Sequence, residues 1–147
     1  LLFAYKNTVA ETDYSSHGRL KNPLTPSDRI FFNVAYNGPT NDKGRNWKYD
    51  FTFNHVGQQR LPSTQNNPSE YRLSGTSERL NLINTQITRV FSDSFQLYLG
   101  VENLTNYRQK NTILGSDDPF GDYFDATYIY GPIFGRMSYV GLRYYIN

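Results

Sequence analysis

Residues 136–147, Arg-Met-Ser-Tyr-Val-Gly-Leu-Arg-Tyr-Tyr-Ile-Asn, constrain the fold of this chain more than any other stretch. In strand geometry successive side chains point to opposite faces. Val140, Leu142, Tyr144 and Ile146 then share one face, and Gly141, Arg143, Tyr145 and Asn147 share the other. An apolar face ending in aromatics, opposite a face with an arginine and a glycine, meets the needs of a strand with lipid on one side and water on the other. One such strand also suits a soluble sheet, so the argument turns on recurrence.

The pattern recurs five times upstream. Residues 95–102 set Phe95, Leu97, Leu99 and Val101 outward, against Gln96, Tyr98, Gly100 and Glu102. Residues 82–91 set Ile83, Thr85, Ile87 and Phe91 outward and Asn84, Gln86 and Thr88 inward. Arg89 interrupts that outward face near its end, where a long side chain can snorkel. Residues 47–57 oppose Trp47, Tyr49, Phe51 and Phe53 to Lys48, Asp50, Thr52 and Asn54. Residues 29–36 oppose Ile30, Phe32, Val34 and Tyr36 to Arg29, Phe31, Asn33 and Ala35. Residues 1–9 place Phe3 and Tyr5 outward and Lys6 and Thr8 inward. Six strands follow, with inward positions expected to be polar throughout.

The connections alternate in length. Residues 37–44 and 92–94 are short and rich in turn formers. Residues 17–28, 61–78 and 106–135 are long. Short turns at one end and long loops at the other are expected of a bacterial outer-membrane β-barrel. Such strands need only about 9–11 residues, half of them apolar, so the absence of a long apolar run excludes a transmembrane helix and nothing more. A net charge of +2, scattered along the chain, gives no basis for binding nucleic acid. The opening Leu-Leu-Phe-Ala-Tyr reads as the start of a mature product or of a piece of something longer.

The residues then resemble a known family, the TonB-dependent outer-membrane receptors of Bacteroidetes-type bacteria. The resemblance is carried by Tyr98-Leu99-Gly100-Val101-Glu102-Asn103-Leu104-Thr105-Asn106-Tyr107, by Phe124-Asp125-Ala126, by Gly131-Pro132-Ile133-Phe134-Gly135-Arg136 and by Tyr139-Val140-Gly141-Leu142-Arg143-Tyr144. It continues through Asn22-Pro23-Leu24-Thr25-Pro26 and Gly57-Gln58-Gln59-Arg60-Leu61-Pro62. Receptors of this kind place an N-terminal plug inside a barrel of about 22 strands. The resemblance implies that residues 1–147 are the C-terminal segment, its last six strands, with plug and upstream strands absent. It further implies an antiparallel transmembrane barrel in the outer membrane and TonB-energised uptake of a scarce small nutrient, by default an iron–siderophore or similar metal chelate. The implied partners are outer-membrane lipid, the TonB complex acting through the plug, and the barrel-assembly machinery. No cofactor and no catalysis are expected. Two other readings remain: a small porin-like barrel, which would need at least eight strands, and a secreted β-sandwich binding glycans, whose apolar faces would be buried against each other.

Several residues invite roles. Gly141, Tyr144 and Ile146 fit the terminal-strand signal that the resemblance implies for assembly, although the chain finishes on Asn147 where such barrels usually finish on an aromatic. Phe120, Tyr123, Phe124, Tyr128 and Tyr130 either face a ligand or pack loop on loop. They interleave with Asp117, Asp118, Asp122 and Asp125, whose spacing does not match a calcium loop. Glu102, inward at a strand end, reads as a substrate or plug contact or as a lumen carboxylate paired with Arg143 on the next strand. His17 and His55 have no ligand-spaced partners, so no metal role is expected of them.

Overall fold

A computed structural model describes residues 1–146. It is all-β and antiparallel, and its principal sheet has six strands, β1 (Leu2–Asn7), β4 (Asp28–Asn37), β5 (Asn46–Val56), β6 (Leu80–Val90), β7 (Phe95–Glu102) and β8 (Met137–Tyr144), in that spatial order. Each strand hydrogen-bonds to its chain neighbours, and the sheet stays open, with β1 and β8 as its edges. The inner-face position expected of Asn147 lies outside the described residues.

One departure from the sequence reading falls between β1 and β4. Residues 10–16, assigned to no element, and the start of the expected 17–28 loop form a separate hairpin, β2 (Glu11–Tyr14) and β3 (Gly18–Lys21), with His17 in its turn and Gly18 at a φ of 68°. Two short, exposed four-residue runs carry too little alternation to be seen in sequence. An Arg19–Glu11 ion pair at 2.8 Å spans the ribbon.

Turn chemistry explains the short connections. Asn41 accepts the Lys43 and Arg45 amides on its side-chain oxygen, and Gly44 supplies a φ of 72°. At the other short turn, the Ser92 hydroxyl accepts the Phe95 amide. Both turns lie at one end of the sheet. The three long connections, residues 8–27, 57–79 and 103–136, gather at the opposite end.

The register assigns every strand residue to a face. One continuous row runs Tyr36, Tyr49, Ile87, Leu99 and Val140, and its neighbours run Val34, Phe51, Thr85, Val101 and Trp47, Arg89, Leu97, Leu142. This face is apolar across all six strands and has no second layer over it; Val140 is 70% exposed and Leu99 53%. Aromatics gather at its short-turn end, where Trp47 stacks on Tyr49, Phe91 packs on Phe95, and the Arg89 guanidinium lies 4.9 Å from the Trp47 ring. The interruption by Arg89 is thus accommodated by cation–π contact.

The opposite face is polar near the short turns, with Asn33, Thr52, Asp50, Gln86, Lys48 and Gln96. Its long-loop end is only partly polar, where polar positions throughout were expected. There the rows run Ala4, Phe31, Asn54, Leu82 and Lys6, Arg29, Val56, Leu80, with Val56 and Leu80 buried. The third loop covers this end, and a β-carbon on Gly131 would press on the Leu80 and Tyr107 side chains at 3.2–3.3 Å. A buried apolar cluster lies in the loops: Leu61, Leu114 and Tyr128, with Tyr71, Leu73 and Tyr130 packed against them.

Candidate functional site

The long loops form one knitted layer. Strand-like bridges join Pro23 to Arg60, Pro26 to Gln59 and Arg60 to Thr76. Arg60 donates to the Lys21 carbonyl at 3.0 Å and sits 5.6 Å from the Tyr14 ring, docking the β2–β3 hairpin onto the second loop.

The segment that carries the family resemblance turns out to be a clasp between β7 and β8. Asn103 is buried, at a φ of 50°, which asparagine tolerates better than most residues. Its side chain donates to the Tyr107 and Phe134 carbonyls and accepts the Tyr107 amide, while its own amide reaches Asn84. Asn106 accepts the Arg136 amide, and the Arg136 guanidinium donates to the Leu104 carbonyl at 2.7 Å. Gly135 leaves the space that Asn106 and Arg108 occupy. Polar residues at this spacing therefore satisfy backbone groups where two strands leave the sheet.

A second clasp had no sequence signal. Gln109 is 7% exposed; its amide nitrogen donates to the Tyr128 carbonyl at 2.6 Å and its oxygen accepts the Tyr130 and Gly131 amides. One side chain thereby satisfies three backbone groups from a segment about twenty residues away.

These clasps divide the five candidate ligand-facing aromatics. Tyr128 is 3% exposed and donates its hydroxyl to the Pro62 carbonyl, so it belongs to the loop core. The Tyr130 hydroxyl accepts the Glu78 amide, and Tyr107 donates to the Glu78 carboxylate, both at 3.4 Å. Phe120, Tyr123 and Phe124 are exposed. Tyr123 stacks on Tyr71 with centroids 5.1 Å apart, and the two help line an open cup of about 400 Å³ with Gly115, Asp118, Gly121 and Phe124. The Asp117 charge, foremost, holds the exposed Tyr71 hydroxyl above its ordinary pKa, with burial and Glu70 adding. Burial pushes the Tyr107 and Tyr128 hydroxyls up in turn.

The proposed Glu102–Arg143 pair does not form. Glu102 stands opposite Met137 and Arg143 opposite Gln96, which separates them by roughly 20 Å along the strands at about 3.3 Å per residue. Arg143 lies instead over the Tyr98 ring at 6.0 Å. Two aromatic–glycine pairs sit between them. The Tyr98 ring covers Gly141 directly across the pair, and the Tyr139 ring covers Gly100; a β-carbon on either glycine would meet the facing ring at 2.2–2.3 Å. Gly141 is thus a seat for Tyr98. Tyr144 and Ile146 are 66% and 90% exposed, and the Tyr145 amide bonds to the Ser94 carbonyl.

His55 is less isolated than its sequence neighbours suggest. Its Nε2 lies 3.3 Å from Asp28 and its Nδ1 2.7 Å from Asn81, while Ser27 donates to the same carboxylate. Among the described residues no group of three or more His, Cys, Asp or Glu gathers as a metal site would. Comparisons with protein-family models, with curated proteins and with solved structures each return no match to this chain.

Proposed function

We propose that this chain is a C-terminal portion of a TonB-dependent outer-membrane receptor barrel, and that the receptor imports a scarce nutrient, an iron chelate by default. The observation that carries the reading is the uncovered apolar face spanning all six strands, while the buried apolar side chains lie in the loop layer and on the opposite face. A sheet in water would bury such a face under a second layer. The other sheet is a four-residue ribbon whose strands are exposed on nearly every residue, which tells against the sandwich reading.

Lipid supplies the missing layer in this reading. The aromatic cluster around Trp47, Phe91 and Phe95 sits at the periplasmic interface, and the knitted loops stand outside the cell. The free edges of β1 and β8 pair with further barrel strands, because unpaired backbone groups are intolerable in hydrocarbon. The polar face lines the lumen, and the exposed loop aromatics Phe120, Tyr123 and Phe124 are available to cargo. Transport energy arrives through a plug and the TonB complex.

The test is the gel mobility of the receptor after mild detergent extraction, with and without boiling, paired with lipid-phase quenching of a bromolipid-sensitive fluorophore at Leu99 and at Gln96. A heat-dependent mobility shift with quenching at position 99 alone is expected. A water-soluble protein, or equal quenching at both positions, refutes the reading.

A further inference from the structure

Among the described residues the inner face carries a like-charge pair at the rim where loops meet sheet. Lys6 on β1 and Arg29 on β4 are direct cross-strand partners on the same face, and both are exposed. Like charges placed opposite each other destabilise a sheet. Among the described residues the ion pairs are Arg19–Glu11 and His55–Asp28, and neither includes Lys6 or Arg29. Asp28, next to Arg29 in sequence, points to the other face, where Ser27 and His55 engage it. Glu78 accepts from Tyr107.

Arg29 lines an open cavity of about 370 Å³ together with the aliphatic side chains of Leu24, Val56, Leu80 and Leu82, and Lys6 stands next to it across the strand pair. That volume sits at the low end of the roughly 300–1,000 Å³ usual for small-molecule clefts. Gln59 also lines it, at 6% exposed. Its side-chain amide bonds to no protein group among the described residues, yet no buried side-chain nitrogen or oxygen lacks a partner. The amide therefore keeps some access to solvent. Leu24, which lines the same cavity, holds a φ of 55°, uncommon for a residue other than glycine.

Two cations set in one cross-strand row with aliphatic side chains define a recognisable chemistry. We propose that this rim cavity binds an amphiphilic organic carboxylate, its charged end held by Lys6 and Arg29 and its apolar body seated against Val56, Leu80 and Leu82. Arginine offers two parallel donors to a carboxylate, and lysine adds a compact charge. Gln59, which lines the same cavity, gives a further donor. The proposal deepens the transport reading, on which it rests, by assigning a chemical class to the cargo at the lumen rim.

The test uses the intact receptor in lipid nanodiscs with 2-naphthoate as probe, followed by saturation-transfer NMR. 2-Naphthylmethanol keeps the apolar body without the charge, and acetate keeps the charge without the body. Naphthoate is expected to bind at least tenfold tighter than either. The double variant Lys6→Gln/Arg29→Gln should lose that preference, and Lys6→Arg/Arg29→Lys should restore it. Equal binding of naphthoate and naphthylmethanol, or an unchanged preference in the glutamine variant, overturns the proposal. Heat-modifiable gel mobility is read on every sample, so a receptor that inserts normally but shows no anion preference refutes the site and leaves the membrane reading standing. A soluble protein that still prefers naphthoate does the reverse.

Discussion

Leu99→Arg offers the sharpest test of which face meets lipid. Leu99 is fifth of the eight residues of β7, in the row formed by Tyr36, Tyr49, Ile87 and Val140. At about 3.3 Å per residue it lies roughly 13 Å from Phe95 and 10 Å from Glu102, near the middle of the apolar band. From there an arginine reaches neither interface easily, and such a charge near the bilayer midplane costs about 2–4 kcal/mol in a barrel. That is a roughly 30- to 700-fold loss in the folded-to-unfolded ratio. Gln96→Arg is the matched control. It faces the polar side but stands opposite Arg143, so it adds a like-charge pair. Water and salt screen that repulsion, and the cost stays under about 1 kcal/mol. The assay is urea titration of the receptor refolded into lipid vesicles, read by heat-modifiable mobility. Equal losses at the two positions, or a larger loss at 96, would show that the faces have been assigned the wrong way round.

Four further outcomes are expected. Gly141→Ala should destabilise by about 1–3 kcal/mol by displacing the Tyr98 ring, and Tyr98→Ala in the same chain should recover part of the loss; strict additivity in the double-mutant cycle would exclude the contact. Gln109→Ala strands three backbone groups that it now satisfies, at about 1–3 kcal/mol for a stranded group, so the Tyr130 and Gly131 amides should exchange faster with solvent while those of β6 do not. Changing Tyr144 and Ile146 together to aspartate should sharply lower outer-membrane levels of the receptor, with Tyr145→Ser milder, because in the proposed barrel their exposed side chains enter the bilayer; immunoblotting of outer-membrane fractions reads this, and normal levels in the double variant place the assembly signal elsewhere. Burial raises the Tyr107 and Tyr128 hydroxyls above the ordinary value of 10.0, so the unfolded chain loses these protons first. Their contribution to stability is full below about pH 10 and falls as pH rises beyond it, and protease sensitivity of the loops between pH 9 and 12 should increase for wild type more than for Tyr107→Phe.

Sequence alone determined the strands of the principal sheet, their order of faces and the alternation of short and long connections. Side-chain alternation is local: it follows from backbone geometry at each residue, so Phe95 through Val101 could be assigned to a face before any partner was known. Turn formers at Asn41, Gly44 and Ser92 were legible for the same reason. What depended on contacts between distant residues was not. Glu102 and Arg143 share a face, yet the register places them at opposite ends of β7 and β8, and register is a property of the pair of strands. Period-2 patterning reports which face a residue takes but not what covers it, so the apolar rim around Val56 and Leu80 had no reason to stand out until the third loop was seen folded over it. Gln109 lies in a stretch without periodicity and acquires its role only when residues 128–131 come within hydrogen-bonding reach. The loop aromatics divided for a similar cause: Tyr128 and Phe120 are alike in sequence context, and only long-range packing buries one against Leu61 and leaves the other wholly exposed.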